Sequence, residues 1–143
     1  MLKLNDASEQ SILNMLVEHK SITSQQLKQI ETLSNEGGKT KLETSFDLNI
    51  TDPDKILTVL ADSYSLPKVE LKKIVITDKI KQLAALRYLR ENIIVPFEFT
   101  SEIIKVAIPD SSKLGLIKNI KNITQLEPEL YASSLTEIDN FYK

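Results

Sequence analysis

The sequence predicts an α+β domain. It reads as an N-terminal helical subdomain, then a small antiparallel or mixed sheet with helices packed on one face. Three observations point there. From Ile12 to Tyr64 apolar residues recur at helical spacing, so each segment would bury a single stripe. From Glu102 to Ile108 the pattern changes to alternation, with Ile104, Val106 and Ile108 opposite Ile103, Lys105 and Ala107, as in a half-buried strand. Between such segments stand capping and turn residues, with no Pro/Gly/Ser-rich linker. The 143 residues suit one compact domain or two small subdomains sharing a core.

The first helix is expected over about Ala7 to His19, carrying Ile12, Leu13, Leu16 and Val17. After a break at Lys20-Ser21-Ile22, Thr23 and Gln26 have capping-box spacing, in which hydroxyl and amide each satisfy a free backbone N–H. The helix so started buries Leu27, Ile30 and Leu33 and ends near Asn35, because Gly37-Gly38 permits a left-handed stop. Leu42 and Phe46 suggest one short helical turn. Asp52 then serves as N-cap with Pro53 at the first helical position, opening a helix faced by Ile56, Leu57, Leu60, Ala61 and Tyr64. Ser65-Leu66-Pro67 ends it, since proline disfavours helical geometry in the residue before it. The subdomain boundary is placed there. Residues 1–66 form the helical subdomain and residues 67–143 the α+β subdomain, and together they make one module.

In the α+β subdomain Val69 to Ile76 reads as partly extended, with a short strand at Ile74-Val75-Ile76. Thr77 or Asp78 caps a helix over about Lys79 to Glu91 bearing Ile80, Leu83, Ala84, Leu86 and Leu89. Strands follow at Ile93 to Phe97 and Glu102 to Ile108. Pro109-Asp110-Ser111 turns the chain into a helix with Leu114, Ile117 and Ile120; then come a strand over Glu127 to Ala132 and a helix from Leu135 to Tyr142. The resulting order is helix, strand, strand, helix, strand, helix, which packs helices against a sheet.

Composition excludes several functions. Eighteen basic and twenty acidic residues give a net charge of −2, so the basic surplus of a nucleic-acid binder is absent. The lysines around Lys68, Lys72, Lys73, Lys79 and Lys81, with Arg87 and Arg90, read as a solvated face. No apolar run approaches the roughly 20 residues of a membrane-spanning helix, and the start lacks the pattern of a signal peptide. A cytoplasmic location is expected, without direct membrane insertion. Having no cysteine, the chain can build neither a disulfide nor a thiolate site.

No catalytic constellation emerges. Gly37-Gly38-Lys39-Thr40 imitates the end of a phosphate-binding loop, but Leu33 stands where that loop needs glycine and a helix is expected where it needs a strand. His19 is the only histidine and suits a helix C-terminus. The pairs Asp52-Asp54 and Glu127-Glu129 lack the aromatic surroundings of a sugar cleft; the chain has no tryptophan. No cofactor or metal is expected, and the chain reads as a non-enzyme.

One ordered set of residues resembles a known family. It runs through Leu16-Val17, Ile22-Thr23, Leu27, Leu60-Ala61, Leu66-Pro67 and Val69-Glu70-Leu71. It continues at Val95-Pro96-Phe97, Val106-Ala107-Ile108-Pro109-Asp110 and the terminal Ile138, Phe141 and Tyr142. This resembles the N-terminal domain of type II secretion and type IV pilus assembly ATPases (the GspE/PilB N-terminal, or MshEN-type, family) over roughly residues 9–142. The resemblance implies a module outside the ATP-hydrolysing motor. Such a module docks onto platform or regulatory proteins at the inner membrane and, in one branch, binds cyclic di-GMP through two helical motifs.

The departures from that branch are specific. Where it has Arg-Leu-Gly, this chain has Ser11, Ile12 and Leu13; the mid-motif glycine is Lys20 and the closing glutamine is Ser34. The second motif opens near Thr40 to Glu43 without arginine or glycine and closes at Ser63. A dianionic dinucleotide needs charged donors and close backbone approach, so binding by the family mode is not expected. The expected function is therefore protein docking in a secretion, pilus or motility system, with Arg87, Tyr88 and Arg90 as a candidate contact patch because arginine and tyrosine are enriched at binding hot spots. The alternatives are a nucleotide sensor using another mode and a free-standing adaptor.

Overall fold

The computed structural model describes residues 6–75, 77–83 and 86–142. Four helices come first: α1 (Asp6–Glu18), α2 (Ser24–Gly37), α3 (Lys41–Asp47) and α4 (Pro53–Tyr64). Their starts follow side-chain chemistry. Thr23 and Gln26 form the full capping box, Thr40 accepts from Glu43 N at 3.1 Å, and Asp52 accepts from Lys55 N at 2.9 Å.

Their ends reveal an internal repeat. After α1, Lys20 N donates to Val17 O and Ser21 N to Leu16 O; after α3, Asn49 N donates to Phe46 O and Ile50 N to Ser45 O. Both are Schellman closures with the left-handed residue at φ 60° in Lys20 and 57° in Asn49. Three residues past each comes the N-cap of the next helix, Thr23 or Asp52. The pairs α1–α2 and α3–α4 are thus two copies of one helix–turn–helix unit. Ser34 and Ser63 stand at the same offset from one another as Lys20 and Asn49.

Beyond Leu66-Pro67 the chain runs extended and bridges to the sheet, with Val69 N donating to Ala132 O and Ala132 N to Pro67 O. The strand expected at Ile74-Val75-Ile76 does not form over its described residues. Leu71–Lys73 makes a 3₁₀ turn, Ile74 is half-buried, Val75 is exposed, and Ile76 lies outside the described residues. The single helix expected from Lys79 to Glu91 is two segments, α5 (Asp78–Lys81) and α6 (Leu86–Glu91); Ala84 and Ala85 lie outside the described residues. Ile80 and Leu89 are both buried, yet at about 100° per residue they would face opposite sides of one straight helix. Two segments let each reach its own apolar neighbours.

The sheet has the order β1-β2-β3, from β1 (Val95–Phe99), β2 (Ile103–Ile108) and β3 (Glu127–Ala132). It is mixed: β1 pairs antiparallel with β2, and β2 pairs parallel with β3 from Ile103↔Glu127 to Ile108↔Ala132. The parallel pair requires a crossover, supplied by a 3₁₀ segment (Ser111–Leu116) running into α7 (Ile117–Thr124). The first strand starts later than the expected Ile93, because Ile93 closes α6 at φ 59°. A β-branched residue in that region is strained. The last helix is α8 (Leu135–Phe141), capped by Ser134. Proline stands in each outer strand, Pro96 in β1 and Pro128 in β3, which suits edge positions.

The main core lies between the helices and one sheet face. Ile12 and Leu16 of α1 and Ile56 and Leu60 of α4 pack in one cluster with Ile104, Val106 and Ile108 of β2 and with Ile120 of α7. Helices were expected on that face alone. The other face, however, carries a smaller cluster in which Val95, Phe97 and Ala107 pack with Leu71 and with Ile138 of α8. Alternation along β2 leaves Ala107 with its own apolar side, so both faces need cover.

Candidate functional site

Most of the residues that the resemblance aligns with the ligand motif take part in packing or helix closure. Ile12 and Leu13 are fully buried in the main core. Ser11 is half-buried, its Oγ 3.0 Å from Ser111 Oγ, while Ser8 Oγ lies 3.3 Å from Ser112 Oγ. These pairs stitch α1 to the turn after β2. Lys20 retains the left-handed geometry of a glycine position, but its side chain is exposed where glycine would leave bare backbone. Ser34 donates to Lys39 O at 2.6 Å beneath the closure of α2 at Gly38, whose φ is 70°. Ser63 is half-buried on α4.

A hollow of about 420 Å³ opens beside Ser11, lined also by Gln10, Asn14, Glu18, Tyr64 and Ser111. No lysine or arginine lines it, although Lys41 Nζ donates to Gln10 Oε1 at 2.9 Å. A phosphodiester placed there would meet a carboxylate and no cation.

Asp110, which the sequence marks only as a turn residue, is fully buried. Its Oδ1 accepts from Ser112 N at 2.8 Å and from Ser112 Oγ, capping the 3₁₀ segment, while Oδ2 has no hydrogen-bond partner among the described residues. Burial pushes its carboxyl above the ordinary value of 3.8, against the opposing pull of Ser112 and of the buried Lys113. Glu9 is buried under α3 with Oε1 3.4 Å from Leu42 N, and burial raises its carboxyl too. Both groups sit where α1 meets its neighbours. Burial of an acid depends on which elements meet over it, so neither leaves a mark in local sequence.

The candidate contact patch is divided. Arg87 is exposed and bonds Glu91 at 3.1 Å. Tyr88 turns inward against the main core, its hydroxyl buried and without a hydrogen-bond partner among the described residues. Arg90 lies 5.9 Å from the centre of the Tyr142 ring, and Tyr142 in turn donates to Ile94 O at 2.5 Å. Burial raises the Tyr142 phenol. The three residues share a helix but not a surface.

The remaining sequence candidates have structural positions. Gly38 closes α2, Lys39 pairs with Asp47 at 2.5 Å and Thr40 caps α3. The segment that imitates a phosphate loop therefore joins two helices. His19 is exposed past the end of α1, Asp52 is a cap, and Glu127 pairs with Lys121 at 2.9 Å. Among the described residues no group of three or more His, Asp or Glu is placed to hold a metal ion, and no helix is long and apolar enough to cross a membrane.

Two larger concavities flank the smaller core. One, of about 780 Å³, lies between the start of α4, the turn at Leu71 and α8. The other, of about 500 Å³, lies over β1 and β2 and is lined by Lys73, Lys79, Lys105, Phe97 and Tyr131. There Lys105 is tied to Glu98 at 2.7 Å and lies 5.8 Å from the centre of the Tyr131 ring.

No family model and no curated protein matches the sequence. Solved structures do. The structure of MshE with cdg superposes with a TM-score of 0.67 at 17% identity, covering 92% of this chain and 95% of that one. The N-terminal domain of XpsE matches with a TM-score of 0.63 at 19% identity, covering 98% of this chain and 95% of that one. A second crystal form of the same domain gives 0.53 at 20% identity, with 98% and 96% covered. Helical pairs, mixed sheet and closing helix together are the fold of the GspE/MshE-type N-terminal domain.

Proposed function

We propose that this chain is a non-catalytic protein-docking or regulatory domain of the kind found at the N-terminus of secretion and pilus assembly ATPases, and that it has lost the cyclic di-GMP site. One observation carries the reading. Of the positions matching the family's ligand motif, Ser11, Ile12, Leu13, Lys20 and Ser34 are engaged in core packing, helix closure and the seam to Ser111, Ser63 is uncharged, and no lysine or arginine among the described residues lines the hollow beside Ser11. The MshE neighbour was solved with cdg, so a domain of this fold can carry that ligand. Here the helix–turn–helix frame remains, with Ser11 where the binding branch has arginine. The partner we expect is a platform or regulatory protein of a secretion, pilus or motility system, met in the cytoplasm at the inner face of the membrane.

A second reading, a nucleotide sensor with another binding mode, draws on the hollow with Lys73, Lys79 and Lys105 beside Phe97 and Tyr131. Two of those lysines are already paired, Lys73 with Glu70 at 3.0 Å and Lys105 with Glu98, which leaves too little free cation for a dianion. Isothermal titration with cyclic di-GMP, and with GTP and ATP as controls, separates the two readings. The docking reading expects no heat from any of them. Binding at about micromolar affinity or tighter, roughly 8 kcal/mol, would replace it with the sensor reading.

A further inference from the structure

We propose that the concavity between α4, the Leu71–Lys73 turn and α8 is the docking site, and that its occupant is a cationic amphipathic segment of a partner protein. The proposal rests on the docking reading and adds the surface and the chemistry.

The floor of the concavity is apolar: Pro53 and Leu57 come from α4, Leu71 from the turn and Phe141 from α8. Leu57 and Phe141 are only half-covered within the chain, so an apolar side chain seated there would remove further surface from water. The rim is acidic. Asp52, Asp54, Glu70 and Glu137 line it, against the single cation Lys72. Asp52 caps α4, and Glu137 Oε2 accepts from Leu71 N at 3.1 Å and Ser133 Oγ at 3.3 Å. Both are thereby held in place as acceptors, and a carboxylate has about four lone-pair sites, so capacity remains on each. The Lys73 ammonium beside Glu70 holds that carboxyl below the usual range, keeping it ionised.

Charge complementarity selects the occupant. With Glu70 paired to Lys73, an anionic ligand still meets Asp52, Asp54 and Glu137 against Lys72, so nucleotides and acidic peptides are repelled. A bare metal ion would leave the apolar floor unused. A segment with leucine-like residues on one side and lysine or arginine flanking them satisfies floor and rim together, in the manner of an amphipathic helix lying in a groove. The walls come from both subdomains, so such a segment would also brace α4 against α8.

The test uses the full chain and a fluorescein-labelled helix-forming peptide of leucine and lysine, with leucines at helical spacing. A leucine–glutamate peptide of the same pattern is the control. The expected result is binding of the lysine peptide alone, weakening as salt rises, with amide shifts around Leu57, Leu71 and Asn140. Glu70→Lys combined with Thr136→Lys should weaken it about tenfold or more. Asn140→Trp should weaken it by filling the groove at unchanged charge. Far-UV circular dichroism and melting temperature confirm that each variant is folded. Equal binding of both peptides, shifts located elsewhere, or variants that bind like wild type overturn the proposal. A platform or regulatory protein that binds wild type and these variants equally overturns the groove while leaving the docking reading intact. Failure of every such protein to bind wild type would instead remove the docking reading itself.

Discussion

The two faces of the sheet are built differently. Toward α1, α4 and α7, the β2 residues Ile104, Val106 and Ile108 are wholly buried in a cluster that draws on most of the helices. Toward α8, Val95, Phe97, Ala107 and Tyr131 share a small cluster with Leu71 and Ile138, and both large concavities border it. A continuous core leaves little room for a ligand, since close-packed interiors have few voids. The thinly covered face leaves gaps between short elements, and the polar residues around them differ in sign, carboxylates on one side and lysines on the other. The difference suggests that stability is concentrated on one face and recognition on the other.

Core truncations give the most direct test of that contrast. Ile104→Ala should cost about 3–4 kcal/mol, read as a fall in denaturant midpoint, because the side chain lies at the centre of the larger cluster. Leu71→Ala should cost less, about 2 kcal/mol. Its signature should be local, with amides of α8 exchanging faster and those of α1 unchanged. Equal global losses from the two substitutions would abolish the distinction between the faces.

The smallest expected effect concerns Asp110, at the seam between the larger core and α1. Its folded-state pKa lies above its unfolded value because burial disfavours the anion. The folded state therefore holds more proton, so stability rises as pH falls through the folded pKa and levels off at the unfolded value. Glu9 acts in the same direction. Asp110→Asn keeps an N-cap acceptor of similar quality and removes the buried charge. Melting temperatures at neutral and mildly acid pH should show the wild type gaining relative to Asp110→Asn on acidification, with a difference at neutral pH within about 1 kcal/mol. A variant that followed the wild-type pH profile would mean that the Asp110 carboxyl titrates alike in the folded and unfolded chain, so that burial does not raise it.

Helix starts were legible in the sequence and several helix ends were not. Thr23 with Gln26, and Asp52 with Pro53, act through local hydrogen bonds and a fixed φ, so their spacing alone located α2 and α4. The ends depend on left-handed residues, and with only three glycines in the chain that role falls to Lys20, Asn49, Ser65, Ile93 and Gln125. Of these, Ile93 reads in sequence as the start of a strand. The internal repeat was expected only from the family resemblance, for the same reason: its two turns have the same hydrogen bonds but share no residue type at Lys20 and Asn49. At the candidate site the sequence showed only which residue types stand at Ser11, Lys20 and Ser34; that Ser11 meets Ser111 and that Ser34 closes onto Lys39 O appeared on folding. The concavities were not legible, because Leu57, Leu71 and Phe141 are far apart in the chain and meet only on folding.

By itself the sequence determined the α+β class, the positions of most elements and the helix N-caps. Each of these follows from spacing or residue type within a few residues. Tertiary structure alone decided that the sheet is mixed, that its second face is covered by α8, that Asp110 is buried, and that an acidic rim surrounds an apolar floor. Those properties depend on contacts between residues distant in the chain, where burial and charge proximity arise from how elements pack and no local pattern records them.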